Sequence, residues 1–266
     1  MKAPTRRLLC AAGLAATLLV GGCATVPGGA PASKDDPWEG FNRKVYAFND
    51  TVDEAVLKPV ATAYRNVVPQ LIRTGIDNFF SNIGDVWSAA NHLLQGKVHH
   101  GLDMGMRVLV NSTAGLGGIL DPATEFGLVR RSEDFGQTLG KWGVGAGPYL
   151  VLPFVGPSTL RDSVGLVADR QASASNLGST EYARIGITTL ELVNLRASLL
   201  ATTQLLDAVA LDRYSFIRQA YLARRLDQVT DGAPGAVKFE DDLEDPEPPA
   251  PKQAPTPPSP AASAPK

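Results

Sequence analysis

The sequence predicts a mostly α-helical protein with at most one short β-hairpin. Apolar side chains recur near 3.6-residue spacing over several long segments, Pro and Gly close those segments, and only Tyr149 to Leu152 with a neighbouring piece reads as extended. In chain order, Asp36 and Pro37 supply a cap and first turn to a helix on which Trp38, Phe41, Val45, Phe48 and Val52 share a face. Lys58-Pro59 is expected to interrupt it, and Val60 to Val68 reads as a second helical piece running into Pro69. From Pro69 to Leu94 a broad apolar stripe (Ile72, Ile76, Phe79, Phe80, Ile83, Val86, Trp87, Ala90, Leu93, Leu94) marks a long helix, stopped by Gln95-Gly96. Another helix covers Lys97 to Ser112, with Leu102, Met106 and Leu109 on one face and Gly101 and Gly105 permitting close backbone approach.

The middle of the chain is different. Ala114 to Pro122 and Gly140 to Pro157 are apolar loops dense in glycine and proline. Unpaired backbone groups are costly to bury, so such loops are expected under other elements, along a cavity, or facing a membrane. Ser158 to Asp169, Ser179 to Leu206 and Asp212 to Val229 read as three further helices. The second carries Ile185, Leu190, Val193, Leu200 and Leu205, and the third Tyr214, Ile217 and Tyr221.

The two ends carry no such periodicity. Lys2, Arg6 and Arg7 precede a short apolar run, Leu8 to Val20, which closes on Gly21-Gly22-Cys23. Residues 1–22 therefore read as a lipoprotein signal peptide, and the pattern around Cys23 resembles a lipobox. Cys23 is the expected lipidation site, carrying a diacylglyceryl thioether and an N-acyl chain such as palmitate; two or three chains hold a protein durably where one does not. The apolar run is shorter than the roughly 20 residues a bilayer span needs. Ala24 after Cys23 fits outer-membrane sorting. Residues 23–36 form a Gly/Pro/Ala/Ser-rich tether, 37–230 the helical domain, and 231–266 a disordered acidic and Pro/Ala-rich tail.

Composition excludes several function classes. With 25 basic and 27 acidic residues in 266, net charge −2, the chain has no electrostatic footprint for nucleic acid. Cys10 falls in the signal and Cys23 is acylated, so the mature chain has no thiol for a disulfide, metal site or nucleophile. There is no G-x-S-x-G elbow, phosphate loop or H-E-x-x-H zinc helix. Gly143-x-Gly145-x-Gly147 lacks the strand and helix of a nucleotide fingerprint. Adjacent helical residues point apart, so His99 and His100 make a poor ligand pair, and with His92 they read as packed or solvated. Glu133-Asp134 beside Arg130-Arg131 reads either as a charged catalytic cluster or, more simply, as a solvated helix start. No catalytic set assembles, no metal or cofactor is expected, and the chain reads as not an enzyme.

What remains is amphipathicity. Trp38, Phe41, Phe48, Phe79, Phe80 and Trp87 on helical stripes, a lipid anchor and apolar loops together suggest a protein seated at the headgroup and acyl boundary. Particular residues sharpen this. Asp36-Pro37-Trp38-Glu39-Gly40-Phe41-Asn42-Arg43 with Phe48-Asn49, Phe79-x-x-Asn82, Leu94-Gln95-Gly96, Asn111-Ser-Thr-x-Gly115-x-Gly117-Gly118, Asp134-Phe135-Gly136-Gln137-Thr138-Leu139-Gly140, and Gly143 to Tyr149 through Leu160-Arg161-Asp162 resemble the MlaA/VacJ family of phospholipid-transport lipoproteins. The resemblance runs from about Asp36 to Tyr221, and the tail beyond Asp231 lies outside it.

The resemblance implies a ring-like multi-helix assembly with amphipathic helices embedded in the inner leaflet of the outer membrane, on its periplasmic face. It implies a trimeric porin and a periplasmic phospholipid-binding chaperone as partners, and outer-membrane phospholipid as the transported ligand. Phospholipids mislocalised to the outer leaflet would leave through an amphipathic channel, maintaining lipid asymmetry. On this reading Trp38, Phe41, Phe48, Phe79, Phe80 and Trp87 seat the protein. Phe41, Asn42 and Arg43 orient or gate the headgroup, and Gly143, Gly145, Gly147, Pro148, Tyr149 and Pro153 build the passage or its rim. The alternatives are a structural lipoprotein bridging the outer membrane to other envelope components, and a membrane-surface lipid hydrolase.

Overall fold

A computed structural model of the chain describes residues 35–233, so the signal peptide, Cys23, most of the tether and most of the acidic tail lie outside the described residues. The elements run α1 (Glu39–Val52), a π-helical turn (Asp53–Leu57), α2 (Lys58–Val67), α3 (Gln70–Leu94), α4 (Val98–Thr113), α5 (Pro122–Glu125), α6 (Phe135–Lys141), β1 (Tyr149–Leu152), β2 (Gly156–Thr159) and α7 (Leu160–Asp169). Two 3-10 turns (Arg170–Ala172 and Ala174–Leu177), α8 (Glu181–Val209) and α9 (Arg213–Thr230) complete them. β1 and β2 form one antiparallel hairpin with Tyr149 opposite Thr159 and Leu152 opposite Gly156.

Local chemistry accounts for most boundaries. Pro69 precedes α3, and Gly96, at φ +76°, closes it in a left-handed conformation that suits glycine. Thr180 caps α8 through the Ala183 amide, and Asp212 caps α9 through the amides of Tyr214 and Ser215. Three expectations fail locally. Asp36 and Pro37 lie before α1, whose N-cap is Trp38 with no side-chain hydrogen bond. Ser158 and Thr159 belong to β2, and the cap of α7 is Thr159, whose hydroxyl accepts from the Asp162 amide at 3.2 Å. Pro59 does not break its helix either. The chain passes through it by a π-turn in which the Lys58 amide reaches back five residues to the Asp53 carbonyl. Proline has no N–H to donate and its ring crowds the carbonyl four residues back, and the wider turn accommodates both.

The long helices are inverted. α3 buries Gly75, Asn82, Asp85, Ser88, Asn91 and His92 and leaves Leu71, Ile72, Val86, Leu93 and Leu94 exposed. α4 buries Gly101, Met104, Arg107 and Asn111, while Leu102, Met106 and Leu109 face out. The two helices meet through their polar stripes: Asn82 donates to the Ser112 hydroxyl at 3.0 Å, and the Arg107 guanidinium lies 3.6 Å from the Asp85 carboxylate. Gly101 permits this approach, since a Cβ there would lie 2.8 Å from Leu93 Cδ2; Gly105 faces open space. Apolar packing is confined to smaller clusters. Ala61 of α2 meets Ala197 and Leu200 of α8 beside Tyr64, and Tyr149, Val151 and Tyr214 join β1 to α9 with Val45, Tyr46, Tyr221 and Leu222 around them. α6 and α7 cross at glycines, where a Cβ on Gly165 would lie 2.5 Å from the Gly136 amide nitrogen.

The expected ring-like assembly of membrane-embedded helices gives way to a mostly α-helical fold with one small hairpin. Among the described residues no helix is long and apolar enough to cross a membrane. The reason is charge. Arg73, Asp77 and Asp85 interrupt α3, and Arg184, Glu191, Arg196 and Asp207 interrupt α8, so neither offers the roughly 20 apolar residues a span requires. Embedding in the inner leaflet is corrected with it.

Candidate functional site

α3 presents Phe80, Ile83, Gly84, Trp87 and Ser88 on one face, at the i, i+3, i+4, i+7 spacing that stacks side chains along a helix. That face forms one wall of a cavity of about 290 Å³. Arg130, Ser132 and Glu133, from the segment leading into α6, form a second wall. Asp169 at the end of α7, Ala172 to Ala174 at the 3-10 turns, and Glu191 on α8 complete it. Apolar surface from Phe80, Ile83 and Trp87 thus faces a polar rim of one guanidinium and three carboxylates.

Each charged group is held differently. Asp121 takes a bidentate pair from Arg107 at 2.9 Å, Arg107 faces Asp85, and Asp85 accepts from Arg130 Nε at 2.7 Å. Burial nonetheless raises the Asp85 carboxyl above the ordinary carboxylate range, against the pull of both arginines. Arg130 spends a second donor on the Ser81 carbonyl at 3.2 Å and stays half-exposed at the cavity. Glu133 is satisfied by Lys97 at 3.0 Å and Gln95 at 2.9 Å. Asp169 has one oxygen engaged, by the Trp87 indole at 2.7 Å and the Phe135 amide at 2.9 Å, and burial raises its carboxyl in spite of them. Glu191 has no ion-pair or hydrogen-bond partner among the described residues, and burial alone raises it.

The mixed-charge run at Arg130 to Asp134 is therefore neither a catalytic cluster nor a solvated helix start. Asp134 does cap α6, accepting from the Gln137 amide at 2.8 Å, but it also grips Arg225 of α9, and Arg130 and Glu133 point into ion networks. The histidines are packed or solvated as expected: His92 is buried with Nε2 3.0 Å from the Arg131 carbonyl, and His99 is exposed. Among the described residues no group of His, Cys, Asp and Glu could hold a metal ion.

The residues expected to seat the protein separate into two places. Trp38, Phe41 and Phe48 are exposed at α1, with Phe48 edge-on to Phe154 at 5.3 Å. Phe79 and Phe80 pack edge to face at 5.7 Å on α3, and Phe80 and Trp87 line the cavity. Cys23 lies outside the described residues. The residues expected to form the passage gather elsewhere, around the hairpin and the loop leading into it. Arg43 pairs with Glu39 and Asp212, both at 2.7 Å, and stacks 4.4 Å over the Tyr214 ring. Tyr149 is buried in the α9 core, while Gly143, Gly145, Gly147 and Pro153 are exposed and Pro148 is half-buried.

Asn42 has a structural role that no spacing argument suggested. Its amide completes the free edge of β1, donating to the Tyr149 carbonyl at 3.0 Å and accepting from the Val151 amide at 2.9 Å. Asn49, two helical turns on, repeats this at Leu152 and Phe154. Asn42→Ala leaves two buried backbone groups unpaired, so it is expected to cost about 2 kcal/mol. A lowered urea midpoint and faster exchange of the Val151 amide would register that loss.

Arg130, Asp169 and Glu191 were not singled out by sequence as one site. Only Arg130 carried a signal, as part of the mixed-charge run; Asp169 and Glu191 sit singly on helices where isolated carboxylates are ordinary.

Comparison with known proteins gives concordant findings. A family model described as MlaA lipoprotein matches residues 34–228. The "Intermembrane phospholipid transport system lipoprotein MlaA" of Shigella flexneri is 39% identical over 248 residues, covering 89% of this chain and 97% of the relative. The Escherichia coli K12 protein of the same description gives the same identity and coverage, and that of Haemophilus influenzae is 32% identical over 208 residues, 76% of this chain and 82% of its own. A solved structure described as "Structural basis for maintenance of bacterial outer membrane lipid asymmetry" superimposes with a TM-score of 0.65 at 38% identity, over 74% of this chain and 100% of the other.

Proposed function

The chain belongs to the MlaA lipoprotein family, and from that premise we propose that the cavity beside α3 is where it handles a phospholipid in transit. The protein is an outer-membrane lipoprotein of intermembrane phospholipid transport that maintains lipid asymmetry, and it is not an enzyme. Its ligand is outer-membrane phospholipid and its partners are periplasmic components of that transport system.

The finer reading rests on physical need. Some thirty acyl methylenes at about 0.8 kcal/mol each place a barrier of order 20 kcal/mol on carrying a phospholipid bare through water. A transport protein must shield tails while admitting a charged headgroup, which cannot be buried unpaired. The single observation that carries the proposal is the cavity lining, with Phe80, Ile83 and Trp87 opposite Arg130, Asp169 and Glu191. At about 290 Å³ it stands at the lower end of ligand pockets, roughly 300–1,000 Å³, so it takes a headgroup and not a whole lipid.

In this scheme Cys23 carries the diacylglyceryl and N-acyl anchor, and exposed Trp38, Phe41 and Phe48 meet the membrane surface to which it tethers the chain. Phospholipid mislocalised to the outer leaflet enters, with a trimeric porin as neighbour, and leaves to a periplasmic phospholipid-binding chaperone. The loop at Gly143, Gly145, Gly147 and Pro148 and the hairpin tip at Pro153, which lie outside the cavity lining, offer a surface to those partners. The test is to purify the full lipoprotein from membranes and measure bound phospholipid by mass spectrometry before and after adding a soluble phospholipid carrier. Intact lipid that chases onto the carrier is the expected result. A lipid-free protein sinks the proposal, as does bound lipid that never leaves.

A further inference from the structure

The cavity carries an uneven set of charges. Arg130 is its one cation, already paired with Asp85 through Nε but with Nη1 engaged by no other residue among those described. Of the three carboxylates, Glu133 is neutralised by Lys97. Asp169 is hydrogen-bonded by neutral donors, through one oxygen, and Glu191 has no hydrogen-bond or ion-pair partner among the described residues. The lining therefore offers one site for an anionic oxygen and, across the same space, two carboxylates with no cation in ion-pair contact among the described residues.

A buried or half-buried charge without a partner is costly, so such an arrangement favours a ligand that brings the missing positive charge and resists one that brings only negative charge. We propose that this cavity selects zwitterionic phospholipids whose headgroup ends in an ammonium, the phosphate meeting Arg130 and the ammonium meeting Glu191 and Asp169, in preference to anionic phospholipids. The proposal rests on the transport reading given above and adds the substrate class. The apolar wall supports it. Phe80, Ile83 and Trp87 accept the glycerol and first methylenes, while Trp87 holds Asp169 in place through its indole N–H. A phosphatidylglycerol headgroup has the same phosphate but sets only neutral hydroxyls against Glu191 and Asp169, whereas ethanolamine supplies a charged N–H donor set that matches carboxylate oxygens.

The experiment uses the full-length lipoprotein in detergent, equilibrated with equimolar dioleoyl phosphatidylethanolamine and dioleoyl phosphatidylglycerol, then repurified and its retained lipid counted by mass spectrometry. The expected ratio favours the ethanolamine lipid by about two- to fivefold, the scale of an ion pair in a half-exposed site. Glu191 makes no hydrogen bond or ion pair among the described residues, so Glu191→Gln is expected to bring the ratio to that of the input with an unchanged thermal midpoint, and Glu191→Lys to reverse it. Soluble glycerophosphoethanolamine tests whether the chemistry belongs to a membrane lipid or to a free amine. At equal concentration it is expected to leave the retained lipid in place, and displacement overturns the lipid assignment. An input ratio in the wild-type protein, or a preference untouched by either variant, overturns the selectivity. Absence of any retained lipid overturns the transport reading as well, and so is distinguishable.

Discussion

Replacing Gly84 by tryptophan is expected to stop phospholipid handling while leaving the protein folded. Gly84 lies on the cavity face of α3, and a Cβ placed there meets no atom within 4 Å. The added indole therefore enters on the cavity face of α3 without meeting the backbone, beside Phe80, Trp87 and the carboxylate rim. The helix gains from the change, because glycine in a helix interior is destabilising by roughly 0.5–1 kcal/mol relative to alanine. A ligand forced against the new ring faces an overpacking cost of about 1–3 kcal/mol, and 1.4 kcal/mol is already about a tenfold loss. Lipid transfer from the purified lipoprotein to a soluble carrier should fall at least about tenfold, with Gly84→Ala close to wild type. Native transfer by a folded Gly84→Trp protein would remove the cavity from the path.

The second large effect lies in stability. Arg225 makes two forks at once, one to Asp134 at 2.6 and 3.0 Å and one to Asp162 at 3.0 and 2.8 Å. It thereby ties α9 to the start of α6 and the first turn of α7. Arg225→Ala removes both forks, leaving Asp134 to the Gln137 amides and Asp162 to Arg161 and Tyr221. Breaking a buried pair costs about 3–5 kcal/mol, and the lower end applies because the Asp134 side chain keeps 36% of its exposure. Arg225→Lys should recover only part, since an ammonium cannot serve two forks.

Acid provides an independent check. Burial opposes ionisation of Asp134 and Asp162, but the hydrogen bonds and charge of Arg225 outweigh it and hold both below the usual carboxylate range. Depressed carboxylates contribute stability that is fully present above their unfolded value, about 3.9, and is lost as pH falls through the folded values. Urea midpoints at pH 7 and pH 3 should therefore differ more in the wild-type protein than in Arg225→Ala. Equal differences would show that these carboxylates do not carry the acid sensitivity.

Helix positions were legible because their punctuation is local: Pro69, Gly96 and Asp212 sit where capping chemistry demands them. Pro59 misled because its rule holds for an α-turn, and the chain took a wider one. The inward face of α3 and α4 was misjudged for a deeper reason. Periodicity locates a stripe but not which side of it is inside, and here Asp85 and Arg107 are stabilised by one another and Asn82 by Ser112, leaving the apolar side outward. The cavity was largely illegible. Its lining comes from separate segments, and a lone Asp169 or Glu191 looks like any solvated carboxylate until the fold removes its partners.

The turn at Asp53–Leu57 fixes the phase of everything around it. Asn42 and Asn49 of α1 must face the hairpin, while Ala61, further along the same rod, must face α8. In regular α geometry the interval from Asn49 to Ala61 turns about 120° beyond whole revolutions. The wider turn takes back part of that angle, acting as a rotary coupling between two otherwise fixed heads. Losing one residue would restore an ordinary helix with nearly the same phase, because the wider turn absorbs about one residue's rotation, whereas adding one would swing α2 by about 100°, so the segment tolerates changes of side chain far better than an insertion.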